Sequence, residues 1–136
     1  MSESRNHVEL VVVAVEYIKS IVEPDLHTII QCDSADSPRP TRVIGNYIPD
    51  VYFWHKDQLI IGEAKTLNDF DRPHSQDQYN AYIKECEGFY GRATLVVSVP
   101  WQMVATAKNY FRRLKKSLDA SMPIIIINEL GRHFEV

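Results

Sequence analysis

The sequence predicts an α/β fold in which a mixed sheet is flanked by helices. Three observations carry that reading. Apolar residues recur at helical spacing in some segments, shorter apolar runs have the length of strands, and the two alternate along the chain. Tight turns join the first strands, which makes them antiparallel, whereas the later strands need helical crossovers and run parallel. The order is helix, three strands, helix, strand, helix, strand. The 136 residues suit one domain, spanning 1–136, with a single core.

From Asn6 to Val22, the residues Val8, Val11, Val15, Ile18 and Val22 form a helical stripe, with Glu9, Glu16 and Lys19 off it. Pro24 closes this helix. "HTIIQC" reads as a short strand, and "DSADSPRPTR" reads as a loop from its Ser, Asp and Pro content. Two strands follow, Ile48 to Lys56 and Leu59 to Thr66, turning at Asp57 and Gln58. After the loop "LNDFDRP", a helix from Ser75 to Gly88 carries Tyr79, Ile83 and Cys86 on one side, and Gly88 suits a left-handed end. "ATLVVSV" is a continuous valine-rich run, as a central strand covered on both faces requires, and Pro100 ends it. A helix from Gln102 to Asp119 repeats Val104, Ala107, Phe111, Leu114 and Leu118, and "PIIIINEL" supplies a last buried strand.

Composition narrows the class. With 45% hydrophobic and 24% charged residues, the chain has the balance of an ordinary globular protein. The net charge of −3 gives no overall attraction to a polyanion, which weighs against a protein that coats nucleic acid nonspecifically. The opening "MSESRNHVEL" lacks a basic region leading into an apolar one, and no apolar run is long enough for a bilayer. A cytoplasmic protein with no membrane partner is expected. Cys32 and Cys86 sit in no zinc-like spacing and read as reduced core thiols.

Within this pattern, "IPDVYFWHKDQLIIGEAKT" places Asp50, Glu63 and Lys65 on strands that should be buried. A two-residue turn at Asp57 and Gln58 pairs Asp50 with Lys65 and Tyr52 with Glu63. All three charges then share one face and one end, because a strand sends alternate side chains to opposite faces. The other face carries Val51, Phe53, Ile60, Gly62 and Ala64, apolar and partly small, which suits a closely packed helix. Two adjacent carboxylates repel unless a cation or a raised pKa relieves them. With the backbone carbonyl of Ala64 between them, Asp50 and Glu63 offer oxygen ligands for a hard cation, Mg²⁺ or Mn²⁺. Lys65 beside them would assist a metal-activated water and stabilise charge developing on a phosphate.

Pro49-Asp50 followed by Glu63-Ala64-Lys65 resembles the signature of the PD-(D/E)XK nuclease superfamily. The element order is similar to that family's restriction-endonuclease-like αβββαβ core over nearly the whole chain, with a C-terminal helix and strand added. The resemblance implies a Mg²⁺-dependent nuclease in which Asp50 and Glu63 hold the metal and Lys65 is catalytic. The implied substrate is DNA, and a lone core of this size implies a homodimer or larger complex. The alternative is a catalytically silent nuclease-fold module that binds nucleic acid or a partner protein.

Other residues have two readings each. Gln78 and Tyr82 are similar to a Gln-x-x-x-Tyr pair that some branches of the family place near the active site and DNA, which makes Gln78 a catalytic candidate. Ser75 and Gln78 also form a capping box. Glu9, near the start of the first helix, is a further metal-ligand candidate or a solvated side chain. His74 could contact a phosphate or the metal's outer shell, or stand exposed, and Asp69 and Asp71 read as loop and turn formers, with a second-metal role as the alternative. Lys108, Arg112 and Lys115 form one basic stripe, either a solvated face or a phosphate-binding one. Trp54, on the charged face of the hairpin, reads as core rather than as a base-stacking platform.

Overall fold

Residues 2–34 and 37–136 are described by the structure, a computed structural model; the middle of the Ser-, Asp- and Pro-rich loop, 35–36, lies outside the described residues. The elements are α1 (Ser2–Ile21), β1 (Gln31–Cys32), β2 (Val51–His55), β3 (Gln58–Ala64), α2 (Pro73–Glu87), β4 (Arg92–Ser98), α3 (Val104–Leu118), β5 (Ile124–Ile127) and β6 (His133–Glu135). They build a six-stranded sheet in sequential order, with β3, β4 and β5 parallel and the outer strands antiparallel. The mixed α/β sheet and the predicted element order are both present, with β6 added as an edge strand. No helix among the described residues is long and apolar enough to cross a membrane.

The sheet has a helical layer on each face. Leu10, Val11, Ala14, Ile18 and Val22 of α1 pack on Val51, Phe53, Ile60, Ala64 and Val96. Each buried aliphatic side chain of this kind contributes roughly 1.5–3 kcal/mol. The packed stripe of α1 is rotated from the predicted one, since Val8 is 54% exposed. Leu10 and Ala14, 2% and 1% exposed, take its place beside Val11 and Ile18. On the other face α2 and α3 cover Leu59, Ile61, Leu95, Val97, Ile124 and Ile126. An aromatic cluster joins the two helices: the Tyr79 ring lies 5.4 Å from Phe70 and 4.9 Å from Phe111.

Several local readings are corrected. "HTIIQC" is mostly a 3-10 helix, Pro24–Ile29, initiated by its proline, and only Gln31–Cys32 pair as a strand. Gly88 closes α2 at φ −81°, in the right-handed region, and Asp119 after α3 takes the left-handed one at φ 51°. Trp54 is 54% exposed, its indole donating to the Lys56 carbonyl.

The hairpin register also differs, by two residues. His55 pairs with Gln58 and Val51 with Gly62, so the turn is Lys56–Asp57, with Lys56 at φ 53°. The start of β4 explains the choice. The Asp57 carbonyl accepts the Arg92 N–H at 2.7 Å, and a Cβ on Gly91 would lie 2.1 Å from that same oxygen. Only glycine lets β4 begin directly against the turn. A second close approach lies under α1, where a Cβ on Gly62 would stand 2.9 Å from Val51 Cβ and 3.4 Å from Ile18 Cδ1.

Gly62→Ala should therefore lower stability by about 1–3 kcal/mol through overpacking, read from urea unfolding midpoints. Gly91→Ala should cost more, because backbone rather than side chain must move. Equal or higher stability in either variant would overturn this account of the packing.

Candidate active site

At its C-terminal end β3 carries charge into the core. Its alternation sends Ile60, Gly62 and Ala64 toward α1, and Leu59, Ile61 and Glu63 toward α2. Lys65 continues the strand, its backbone N–H donating to the Ser98 carbonyl at 2.9 Å. Glu63 is 5% exposed and Lys65 7%. Burial at this level requires partners for every polar atom.

Those partners come from four elements. The Tyr82 hydroxyl of α2 donates to Glu63 Oε1 at 3.2 Å, and the Asp50 backbone N–H reaches the same oxygen at 3.3 Å. Lys65 Nζ lies 3.6 Å from Glu63 Oε2 and donates to Gln78 Oε1. Asp50 Oδ2 accepts the Ala64 N–H at 2.9 Å and meets His7 Nε2 at 3.2 Å. Gln78 and Tyr82, one turn apart on α2, thus hold the lysine and the glutamate separately.

The electrostatics follow from this enclosure. Burial, and next the charge of Asp50, push the Glu63 carboxyl up to about 8, with Lys65 pulling the other way. Burial, then the Glu63 charge, raise Tyr82, which remains a phenol that donates. The hydrogen bond to Asp50 raises His7 against the opposing effect of its own burial, favouring its cationic form. The site is two carboxyl groups facing a lysine and an imidazole, with Glu63 and Lys65 almost wholly out of water.

The predicted candidates divide into those gathered here and those that are not. Asp50, Glu63, Lys65, Gln78 and Tyr82 come together. Beyond the last ladder pair, Asp50 meets Glu63 and Ala64 rather than Lys65, and Tyr52 lies opposite Ile61 rather than Glu63. A slip of two residues changes partners but keeps faces, so the three charges still converge. The Ala64 group that touches Asp50 is its N–H, not its carbonyl. Gln78 forms no capping box: α2 starts at Pro73 with Arg72 as its cap, and the Gln78 side chain turns to Lys65.

Glu9 is exposed on α1 and lines a neighbouring cleft instead of touching Asp50 or Glu63. His7 was missed by the sequence reading. It extends the packed stripe of Leu10, Val11 and Ala14 one turn toward the helix start, which is the signal that could have found it. His74 is exposed and packs edge-to-face on Tyr47 at 5.1 Å. Asp69 accepts from Thr66 Oγ1 at 3.2 Å, as a turn former does. The basic stripe faces the opposite sheet edge. Lys108 Nζ sits 4.8 Å over the Phe134 ring, Lys115 donates to the Val136 carbonyl at 3.0 Å, and Arg112 to Asn109 at 3.1 Å. Among the described residues no group of three or more His, Cys, Asp and Glu side chains gathers as a metal shell.

A cleft of about 330 Å³ opens at Thr66, the residue after Lys65, and is lined also by Glu9, Asn68 and Glu129 among others. No protein-family model, curated protein or solved structure matches this chain significantly.

The raised Glu63 carboxyl makes stability fall with pH. The unfolded chain releases this proton near 4.5 while the folded one holds it to about 8, so metal-free protein loses stability across that window. Glu63→Gln, which cannot ionise, should show a flatter profile between those limits in EDTA, measured by urea unfolding. Parallel profiles for the two proteins would overturn the assignment.

Proposed function

We propose that this chain is a metal-dependent nuclease of the PD-(D/E)XK superfamily, with its restriction-endonuclease-like fold, hydrolysing phosphodiester bonds in DNA. One observation carries the reading: Gln78 and Tyr82, on a helix distant in sequence from the Pro49-Asp50 and Glu63-Ala64-Lys65 motifs, converge on Lys65 and Glu63. A motif met by chance would have no reason to be completed by a second element. The sequential αβββαβ order supports it, with α1 on one sheet face and α2 on the other.

The donor set fits Mg²⁺ or Mn²⁺. Asp50 and Glu63 are hard oxygen donors, and the Glu63 carboxyl, raised first by burial and next by the Asp50 charge, is one that a bound cation would hold ionised. They would hold the ion, with the Ala64 carbonyl as a further oxygen. When bound, the ion supplies Lewis-acid polarisation and charge neutralisation at a phosphate. Lys65, held between Gln78 and Glu63, keeps its ammonium directed at the reacting group and stabilises charge building there. His7 orients Asp50, and Tyr82 orients Glu63.

A second reading, a module that binds nucleic acid or a partner protein without cleaving, is favoured by Arg112, exposed on the basic stripe of α3, a helix that contributes nothing to the charged cluster. On either reading a homodimer or larger complex would supply the missing grip on a duplex.

Purified protein incubated with linear, circular and branched DNA should cleave with Mg²⁺ or Mn²⁺ and not with EDTA. Glu63→Ala and Lys65→Ala should each lower the rate by about a hundredfold or more. Gln78→Ala should lower it by roughly ten- to a hundredfold. Cleavage that survives both Glu63→Ala and Lys65→Ala sinks the site, and binding without any cleavage selects the second reading.

A further inference from the structure

We infer that the cleft beside Lys65 takes an unpaired nucleobase, so that the substrate is a single-stranded segment; this rests on the nuclease reading above. The cleft begins at Thr66, immediately after Lys65, and its volume of about 330 Å³ falls at the small end of ligand pockets, roughly 300–1,000 Å³. Because Thr66 follows Lys65 directly in the chain, a nucleotide with its phosphate at the charged cluster would lay a neighbouring base toward this cleft.

The lining chemistry selects a base over a phosphate. Glu9 and Glu129 bring two carboxylates, Asn6, Asn68 and Gln102 bring amides, and among the described residues no lysine or arginine lines the cleft. A phosphate there would meet negative charge with no cation to offset it. A base edge instead offers amino and imino N–H groups to the carboxylates, and mixed donors and acceptors to the amides. Leu10, Leu67 and Pro100 add apolar wall for the ring faces.

Trp101 extends the site. It stands between Pro100 and Gln102, both in the lining, and is 61% exposed, while its backbone N–H is anchored on Glu129 Oε1 at 2.9 Å. An exposed indole on an anchored segment is a stacking platform of the kind that single-strand binders use. Bases within a duplex are paired and stacked, so neither the cleft nor the indole could reach them without extrusion. A duplex also calls for rows of phosphate contacts, and two cations of the basic stripe, Lys108 and Lys115, are already engaged by the Phe134 ring and the Val136 carbonyl.

Trp101 can report its own occupancy. The chain holds two tryptophans, so Trp54→Phe leaves Trp101 as the only one. In EDTA, a short single-stranded oligonucleotide should quench this fluorescence saturably. It should bind at least about tenfold tighter than a blunt duplex of the same sequence or an abasic oligomer of the same length. Trp101→Ala, at an exposed position, should keep the thermal midpoint and lose about tenfold in single-strand affinity, read by anisotropy of a labelled strand. Equal affinity for the abasic oligomer, or no effect of Trp101→Ala, overturns the inference. The two readings fail separately: Lys65-dependent cleavage of duplex as fast as single strand removes the base cleft alone. Saturable, base-dependent quenching without any cleavage retains the cleft and removes the nuclease.

Discussion

The turn at Lys56–Asp57 holds β2 and β3 in the register on which the charged cluster depends. It is locked from outside the hairpin. The Lys56 carbonyl accepts both the Trp54 indole and the Tyr90 hydroxyl, and the Asp57 carbonyl accepts the Arg92 N–H over Gly91. The start of β4 therefore sets where β2 turns. At about 3.3 Å per residue, that constraint is felt roughly 17 Å away, where Asp50 meets Glu63 and Ala64. Moving the turn by one residue would send the three charges to different faces, and moving it by two would leave the Asp50 N–H without the Glu63 carboxylate.

What the register assembles is costly to bury. Glu63 and Lys65 lie within the packed layer between the sheet and α2, where an unpaired charge would cost several kcal/mol. Satisfying their polar atoms offsets part of this, and α2 does so with two side chains one turn apart. The aromatic contacts of Tyr79 with Phe70 and Phe111 fix the rotation of α2, so Gln78 and Tyr82 point where they are needed. The remaining imbalance, a Glu63 carboxyl that burial and then the Asp50 charge push up to about 8, is what a cation would remove.

Much of the fold was readable in the sequence because periodicity reports burial directly. The valine-rich β4, the isoleucine run of β5 and the apolar stripe of α3 all lie where they were expected. Features set by tertiary contact were not. The turn position depends on Gly91 and Tyr90, far along the chain, and β6 carries only His133, Phe134 and Glu135 as an exposed edge. The site survived the register error because a slip of two preserves faces. His7 was overlooked in favour of Glu9, although the two are only two residues apart, because α1 is rotated by its need to bring Leu10 and Ala14 against the sheet.

That rotation also separates the roles of the two helical layers. The layer of α2 reaches the site from the face where Glu63 points and supplies neutral groups, an amide and a phenol, which position charge without changing it. The layer of α1 reaches it from the other face with groups that can carry charge, His7 on Asp50 and Glu9 in the cleft beyond Lys65. β3 is the strand whose last residues both layers contact. On the proposed nuclease reading, a substrate approaching there would meet a fixed frame on the α2 side and, on the α1 side, a carboxylate- and amide-lined wall that could select between ligands.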